Sequence, residues 1–262
     1  MTARRTLLVL GCGTSLGVPQ IGCDCPVCLS ANPKNKRTRS SVMLLVPGGN
    51  LLIDTSPELR LQMTRERVPV AHAILYTHYH VDHLYGLDDA RLFPKMLGAA
   101  VPVYCTDEVE AVVRDVFRYA FDPVNANLPA GHLPQMTFRR ISPTEPFDVL
   151  GERVTPIPLV HGRFNCLGFR VGDVAYCTDV SHVPETSYPL LEGLDVLFLD
   201  ALRPERPHPT HFTIEQALEV IARVKPKRAY LTHTSHEIDY DEWTEKLPPG
   251  VELSCDGLRV EF

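Results

Sequence analysis

Long apolar runs are what this chain most obviously lacks. In its 262 residues no stretch approaches the roughly 20 apolar residues that a bilayer-spanning helix requires. The basic start Met1-Thr2-Ala3-Arg4-Arg5 leads into an apolar run that stops at Gly11, too short for the core of a secretion signal with its cleavage site. A membrane-embedded or secreted protein is therefore disfavoured, and a cytoplasmic one is expected.

A positive charge excess is missing as well. Lysine and arginine number 26 against 32 aspartates and glutamates, for a formal net charge of -6. A protein that coats nucleic acid needs a basic face, so this balance argues against that class. It leaves room for a small phosphate substrate held by metal ions. Short repeats, low-complexity tracts and clear linkers are also absent. With 44% hydrophobic and 22% charged residues the chain has an ordinary globular composition, long enough for one full core. A single domain over residues 1–262 is expected.

A dinucleotide fingerprint is almost present and then fails. The apolar strand Thr6-Leu7-Leu8-Val9-Leu10 runs into Gly11-Cys12-Gly13-Thr14-Ser15-Leu16-Gly17. The third glycine should stand where Leu16 is, and a helix should follow, but Pro19 and a cysteine cluster arrive instead. The segment reads as a tight glycine turn.

What the chain does have is Thr77-His78-Tyr79-His80-Val81-Asp82-His83, after the apolar run Ala73-Ile74-Leu75-Tyr76. Three imidazoles and a carboxylate so close together make a poor core. They are, however, the donors that zinc, manganese and iron accept. His78 and His80, two apart in an extended segment, can face one side. Asp82 and His83 come where the chain turns and can face a second point, so one segment can serve two metals. Other strand-like runs end the same way: Leu159-Val160 at His161, Cys177-Thr178 at Asp179, Leu231-Thr232 at His233. Donors delivered by several strand ends to one sheet edge make a rigid site. Cys166 and Cys177, close to these donors in sequence, read as core residues.

Of eight cysteines, Cys23, Cys25 and Cys28 lie in C-x-C-x-x-C spacing. Without a secretion signal such a cluster points to metal rather than disulfides, and three thiolates can fill three corners of a tetrahedral zinc site. The fourth ligand must come from elsewhere. Lys34, Lys36, Arg37 and Arg39 read as a solvated loop, or as a rim that steers phosphate.

Further along, Val42–Val46 and Leu51–Asp54 flank a Pro47-Gly48-Gly49-Asn50 turn and read as a hairpin. Helices are expected from Pro57 to Arg67 with Ser56 as cap, from Glu108 to Tyr119 after Thr106, near Glu185–Glu192, and from Ile214 to Val224 after Thr213. The Tyr119–Phe138 segment, with three prolines and no lysine or arginine, reads as a loop insertion.

His-x-His-x-Asp-His at a strand end resembles the signature of the metallo-β-lactamase superfamily. The resemblance implies an αββα four-layer sandwich, two mixed β-sheets flanked by helices. It implies that His78, His80 and His161 hold one divalent metal, that Asp82, His83 and His233 hold a second, and that Asp179 bridges them. The opening Gly11–Pro19 stretch with its cysteines is similar to the phosphodiesterase branch, whose best-known member is the phosphoribosyl cyclic phosphodiesterase of the carbon–phosphorus lyase pathway. By that resemblance Cys23, Cys25, Cys28 and His236 hold a structural zinc on a loop of about residues 19–41. His211 would act in catalysis, with Asp82 also orienting the attacking group. The implied enzyme is a metal-dependent phosphoric diester hydrolase with two zinc, manganese or iron ions. It would cleave a small or cyclic phosphate, such as a ribose cyclic phosphate, by attack of a metal-bridging hydroxide. A nuclease of the transfer-RNA 3′-processing or exonuclease type on the same site is the alternative. The insertion at about 119–138, lacking basic residues, and the acidic balance weigh against it. No membrane partner is expected, and a homodimer stays open.

Overall fold

Fourteen strands build this computed structural model, which describes residues 5–262; Met1 to Arg4 of the basic start lie outside the described residues. Six come first: β1 (Thr6–Gly11), β2 (Ser41–Val46), β3 (Gly49–Ile53), β4 (Ala73–Leu75), β5 (Val101–Cys105) and β6 (Met136–Arg140). The chain then crosses to a second sheet for β7 (Phe147–Val149), β8 (Glu152–His161), β9 (Phe164–Val171), β10 (Val174–Cys177), β11 (Val196–Asp200), β12 (Arg228–Thr232) and β13 (Val251–Leu253). It crosses back for β14 (Arg259–Glu261). The spatial orders are β14-β1-β2-β3-β4-β5-β6 and β13-β12-β11-β10-β9-β8-β7. Each sheet is antiparallel on one flank and parallel on the other: β1, β2 and β3 alternate and β3 to β6 run together, while β7 to β10 alternate and β10 to β13 run together.

Side-chain alternation along the strands explains the layering. Leu7 and Val9 of β1, Val42 and Leu44 of β2, and Val196 and Phe198 of β11 share one buried cluster, which fills the space between the sheets. Their neighbours Leu8, Leu10 and Met43 face outward to a second cluster with Val109 and Val113 of the helix Asp107–Val116. On the far side Leu197 and Leu199 meet Ala217 and Ile221 of the helix Ile214–Val224. A period of two on the strands thus feeds three apolar layers, and helices close the outer two. This is the four-layer αββα sandwich of two mixed sheets that the sequence implied. Phe198 is wholly buried, and burying a side chain of this class contributes about 1.5–3 kcal/mol. No helix among the described residues is long and apolar enough to cross a membrane.

Several local expectations change. Thr213 caps its helix with a full capping box, and Thr106 caps the helix after β5 by accepting from the Val109 N–H. Ser56 does not cap: its hydroxyl donates to Gln62 Oε1, and the helix spans only Leu59–Glu66. The Glu185–Leu191 segment is a 3₁₀ helix, tightened around Pro189, which has no N–H to give an α-helical ladder. The Tyr119–Phe138 segment is not plain loop. It starts in the short helix Arg118–Phe121, continues through a 3₁₀ turn Pro123–Asn125 and ends inside β6. The strands β7, β13 and β14 and the helix Tyr240–Lys246 carry too short a pattern to be read from sequence.

Candidate metal centre

Strands of both sheets, the parallel ones and the antiparallel β8, deliver polar residues from their carboxyl ends to one rim of the sandwich. Asp54 follows β3, the His78–His83 segment follows β4, and Asp179 follows β10. His161 and Asp200 close β8 and β11, and His233 follows β12. Three of them, Asp54, Asp179 and His233, have φ of 64°, 55° and 59°. A left-handed residue at a strand end turns the chain sharply, and Asp and His tolerate that region better than bulky side chains.

Two four-donor His/Asp groups result, and Asp200, His211 and His233 make a third, smaller one. His78, His80, His161 and Asp179 bring one donor atom each within 4.8 Å of the others, and so do Asp82, His83, Asp179 and His233. Asp179 belongs to both, with a different oxygen in each. Its Oδ2 lies 3.9 Å from His78 Nε2 and 3.7 Å from His161 Nε2, and its Oδ1 lies 3.2 Å from His83 Nε2 and 3.5 Å from His233 Nε2. Asp82 Oδ2 is 3.3 Å from His83 Nε2 and 3.6 Å from His233 Nε2.

Whether these residues fit a cation is decided by their free nitrogens. His78 Nε2, His83 Nε2 and His233 Nε2 are buried without a hydrogen-bond partner. The opposite nitrogens of His78, His83 and His161 are engaged, while His233 Nδ1 lies 3.8 Å from Asp200 Oδ1 without a hydrogen bond. His83 Nδ1 donates to Asp54 Oδ2 at 2.7 Å, and His161 Nδ1 donates to the Thr210 carbonyl at 2.6 Å. The Thr77 hydroxyl donates to Asp54 Oδ2 at 2.8 Å, so its oxygen is left to accept from His78 Nδ1 at 3.0 Å. With the proton on Nδ1, the Nε2 lone pair faces the cluster, the tautomer a metal ligand needs. Converging lone pairs and two carboxylates suit divalent cations.

Electrostatics agree with that reading for His78, His80 and His161 and differ at His83. Burial and the neighbouring His83 hold the His78 pKa well below its ordinary value, and burial lowers His80 and His161. Burial also works against a charge on His83, yet Asp179, Asp82 and Asp54 around it raise its pKa well above the usual. Asp179 stays ionised despite complete burial, because His233 and His83 outweigh the desolvation.

His211 stands beside the clusters. Its ring stacks on His233 at 4.6 Å between centroids and meets His161 edge-on at 4.7 Å. Its Nδ1 donates to Asp200 Oδ2 at 3.0 Å. Burial opposes its charge, but the Asp200 carboxylate lifts the pKa to about 9. Asp54 and Asp200 were not foreseen as site residues. Each follows the same rule as the ligands, a carboxylate at the end of a buried apolar strand, and that rule could have found them.

The cysteines gather as a separate group. Cys23, Cys25 and Cys28 lie within 4.8 Å of one another and of His236 by donor atom. His236 Nδ1 is 3.3 Å from Cys23 Sγ and 3.4 Å from Cys25 Sγ. The Cys28 N–H, donating to Cys25 Sγ, and His236 lower the Cys25 pKa to about 6, while burial pushes Cys28 to about 11. Three thiolates and one imidazole match a closed tetrahedral zinc site. Beneath it runs Arg37, fully buried, donating to the carbonyls of Ser235 at 2.8 Å and Ile238 at 2.7 Å. Arg37 thereby ties the cysteine loop to the segment that carries His233 and His236. Cys166 and Cys177 are buried strand residues, with Cys166 Sγ 3.8 Å from His78 Nδ1.

The family described as beta-lactamase superfamily domain matches residues 49–234. An octanoyltransferase of Porphyromonas gingivalis is 35% identical over 255 residues, covering 97% of this chain and 51% of the relative; the chain spans about half the length of that curated relative. Among solved structures, a diphosphatase from the PhnP family has a TM-score of 0.91 at 42% identity, over 99% of this chain and 98% of its own. The zinc-bound PqqB of Methylobacterium extorquens, with a TM-score of 0.79 at 23% identity over 98% of this chain and 100% of its own, shares the fold. The matched span contains every donor of both His/Asp groups, and the chain belongs to the beta-lactamase superfamily.

Proposed function

We propose that the protein is a dinuclear metal-dependent hydrolase that cleaves a P–O bond in a small phosphodiester or diphosphate, a cyclic ribose phosphate among them. One observation carries this reading: the two oxygens of Asp179 face two different donor groups, with the His211 imidazole against both. His78, His80 and His161 would hold one cation, Asp82, His83 and His233 the other, with Asp179 shared. Divalent cations there supply Lewis acidity and lower the pKa of water toward neutrality. Asp82 and Asp179 orient the attacking water, since both present ionised oxygens at the same rim. Asp200 keeps the His211 proton on Nδ1 and stabilises a second one on Nε2, so His211 enters the reaction as an imidazolium. From Nε2 it donates a proton to the leaving oxygen as the P–O bond breaks. Thr77, Asp54 and the Thr210 carbonyl hold the ligand imidazoles in the required tautomer. No serine or cysteine nucleophile is needed.

The 42% identical neighbour, a diphosphatase, supports phosphate chemistry. The absence of lysine and arginine from Tyr119–Phe138 and the net charge of -6 favour a small substrate over transfer RNA. The test is a screen of the zinc- or manganese-loaded protein against bis-p-nitrophenyl phosphate, a ribose cyclic phosphate, a dinucleoside diphosphate, a precursor transfer RNA and an acyl thioester. Turnover of one of the small phosphates above the other classes is expected. Rapid cleavage of the transfer RNA or the thioester, with none of the small phosphates, rejects the proposal.

A further inference from the structure

A cavity of about 370 Å³ lies behind the metal-binding segment, where the two sheets meet, and no metal donor lines it. Side-chain alternation puts it there. His78 and His80 face the donor groups, while Thr77 and Tyr79 between and before them line the cavity. The second sheet supplies the facing wall through Leu159, Cys166 and Leu167, and the Leu167 N–H donates to the Thr77 carbonyl at 3.0 Å. Thr144, on the crossing from β6 to β7, is an exposed wall residue. Small-molecule sites run from roughly 300 to 1,000 Å³, so the space is large enough for a ligand.

Its charge is of one sign. Asp107 and Glu108, in the first turn of the helix Asp107–Val116, stand on the wall, and no lysine, arginine or histidine does. Both carboxylates are on exposed residues, and among the described residues neither makes an ion pair. Arg140, which feels the charge of Asp107, is held by Glu110 at 2.7 Å, as is Arg114 at 2.8 Å. The helix start offers little to an anion: Asp107 Oδ1 accepts the Glu108 N–H at 3.0 Å, and Thr106 accepts that of Val109. Tyr79 adds the face of an aromatic ring, which attracts cations. The inner wall reaches the metal centre directly. The Thr77 hydroxyl lies 3.0 Å from His78 Nδ1, and Cys166 Sγ lies 3.8 Å from the same nitrogen.

We propose that this cavity is a binding site for a small organic cation, and that its occupant strengthens metal binding at the His78 group. Two unpaired carboxylates and an aromatic ring receive the ammonium, and Leu159 and Leu167 take its hydrocarbon body. A ligand packed on Thr77 and Cys166 restrains the two side chains that border His78 Nδ1. The imidazole is then held ready for its metal, and less order has to be imposed when the metal arrives. The occupant and the substrate would enter from different sides of the His78–His80 segment, so the site acts on the enzyme without competing for its reaction. This holds whatever bond the metal centre cleaves.

Calorimetry on the zinc-loaded full chain would compare phenethylamine, protonated at neutral pH, with phenethyl alcohol, which has the same body and no charge. Wild type is expected to bind the amine about tenfold more tightly. An Asp107→Asn, Glu108→Gln double variant should bring the two within about twofold. Thr144→Trp, which crowds the cavity from its exposed wall, should abolish binding of both. All three positions are exposed, and melting temperatures would check that the variants fold; if Thr144→Trp melts early, the double variant decides. An amine that sits on the metal ions instead would bind all these variants as it binds wild type. Chelator competition would then read the metal steps with and without the amine. One step should tighten about fivefold, and the amine should bind tighter by the same factor to loaded than to metal-free protein. Equal affinities for amine and alcohol in wild type, or a preference that survives the double variant, overturns the site. Amine binding that leaves both metal steps unchanged overturns its link to His78.

Discussion

Asp54 touches no proposed metal, yet replacing it with asparagine should cripple the second donor group. The change is nearly isosteric, and asparagine tolerates the left-handed conformation that Asp54 adopts at φ 64°, so the backbone is not disturbed. What changes is proton direction. Asp54 Oδ1 accepts the Thr77 N–H at 2.9 Å, and Oδ2 accepts both the Thr77 hydroxyl at 2.8 Å and His83 Nδ1 at 2.7 Å. An amide has one acceptor end. If its oxygen stays on the Thr77 N–H, its NH₂ faces His83 Nδ1, which must then accept, and the ring proton moves to Nε2. That nitrogen faces Asp82 and Asp179 and can no longer be a ligand. If the amide flips, its NH₂ confronts the Thr77 N–H in a fully buried site.

Either way a buried hydrogen bond to a charged group is lost, worth about 1.5–3 kcal/mol. At about 1.4 kcal/mol per decade this is roughly 10–100-fold in affinity for one metal ion. Competition with a chromophoric chelator would read the two binding steps separately. The step at the His83 group should weaken in Asp54→Asn, with the His78 group following where the asparagine NH₂ turns the Thr77 hydroxyl from donor to acceptor; activity should fall with it, and excess metal should restore part of that activity. Two unchanged binding steps with wild-type turnover would refute the tautomer argument.

Asp179→Ala should loosen both binding steps together and abolish hydrolysis, because its two oxygens face different groups; two tightly held metals in this variant would show that the carboxylate is not shared. His236→Ala should lose about one equivalent of zinc and melt at lower temperature, with a smaller loss of activity than His233→Ala. Unchanged zinc content in a Cys25→Ser, His236→Ala double variant, measured by elemental analysis, would mean that no such site exists. Metal affinity should climb with pH through neutrality: His83 is protonated in the metal-free chain because its pKa is raised, so ligation releases a proton and is favoured as protons become scarce. Calorimetry in buffers of different ionisation heat would count that proton, and a pH-independent affinity would contradict it.

The donors were legible in sequence because each is chemically unusual where it stands. An imidazole or carboxylate straight after a run such as Val160, Cys177 or Leu231 cannot be serving the core. Asp54 and Asp200 obey the same pattern but were passed over, since what a strand end touches depends on strand order. The adjacency of β3 to β4 is what sets Asp54 against His83, and that of β10 to β11 is what sets Asp200 against Val180 and so beside His211. Nothing local in Leu51-Leu52-Ile53-Asp54 announces a neighbour 29 residues away. Arg37 was hidden for the opposite reason. In a basic, polar stretch it looked solvated, but the carbonyls of Ser235 and Ile238, almost at the other end of the chain, join Lys34 O and Asn35 Oδ1 in making its burial tolerable. Ser56 misled because a serine before a helix is usually a cap, whereas here Gln62 competes for its hydroxyl.

The donors are divided between the two sheets. His78, His80, Asp82 and His83 hang from the first, and His161, Asp179 and His233 hang from the second, so each group draws on both. Elsewhere the sheets are joined by an apolar layer and by two crossings of the chain, from β6 to β7 and from β13 to β14. Cation loading would therefore act as a clasp across the open rim, and metal affinity would become a gauge of how the sheets are aligned. A cavity cut at Phe169 or Phe198, in the middle of the sandwich, should register at the rim as weaker metal binding although neither residue is a donor. By the same linkage, metal should raise the melting temperature of the whole sandwich rather than stiffen one loop.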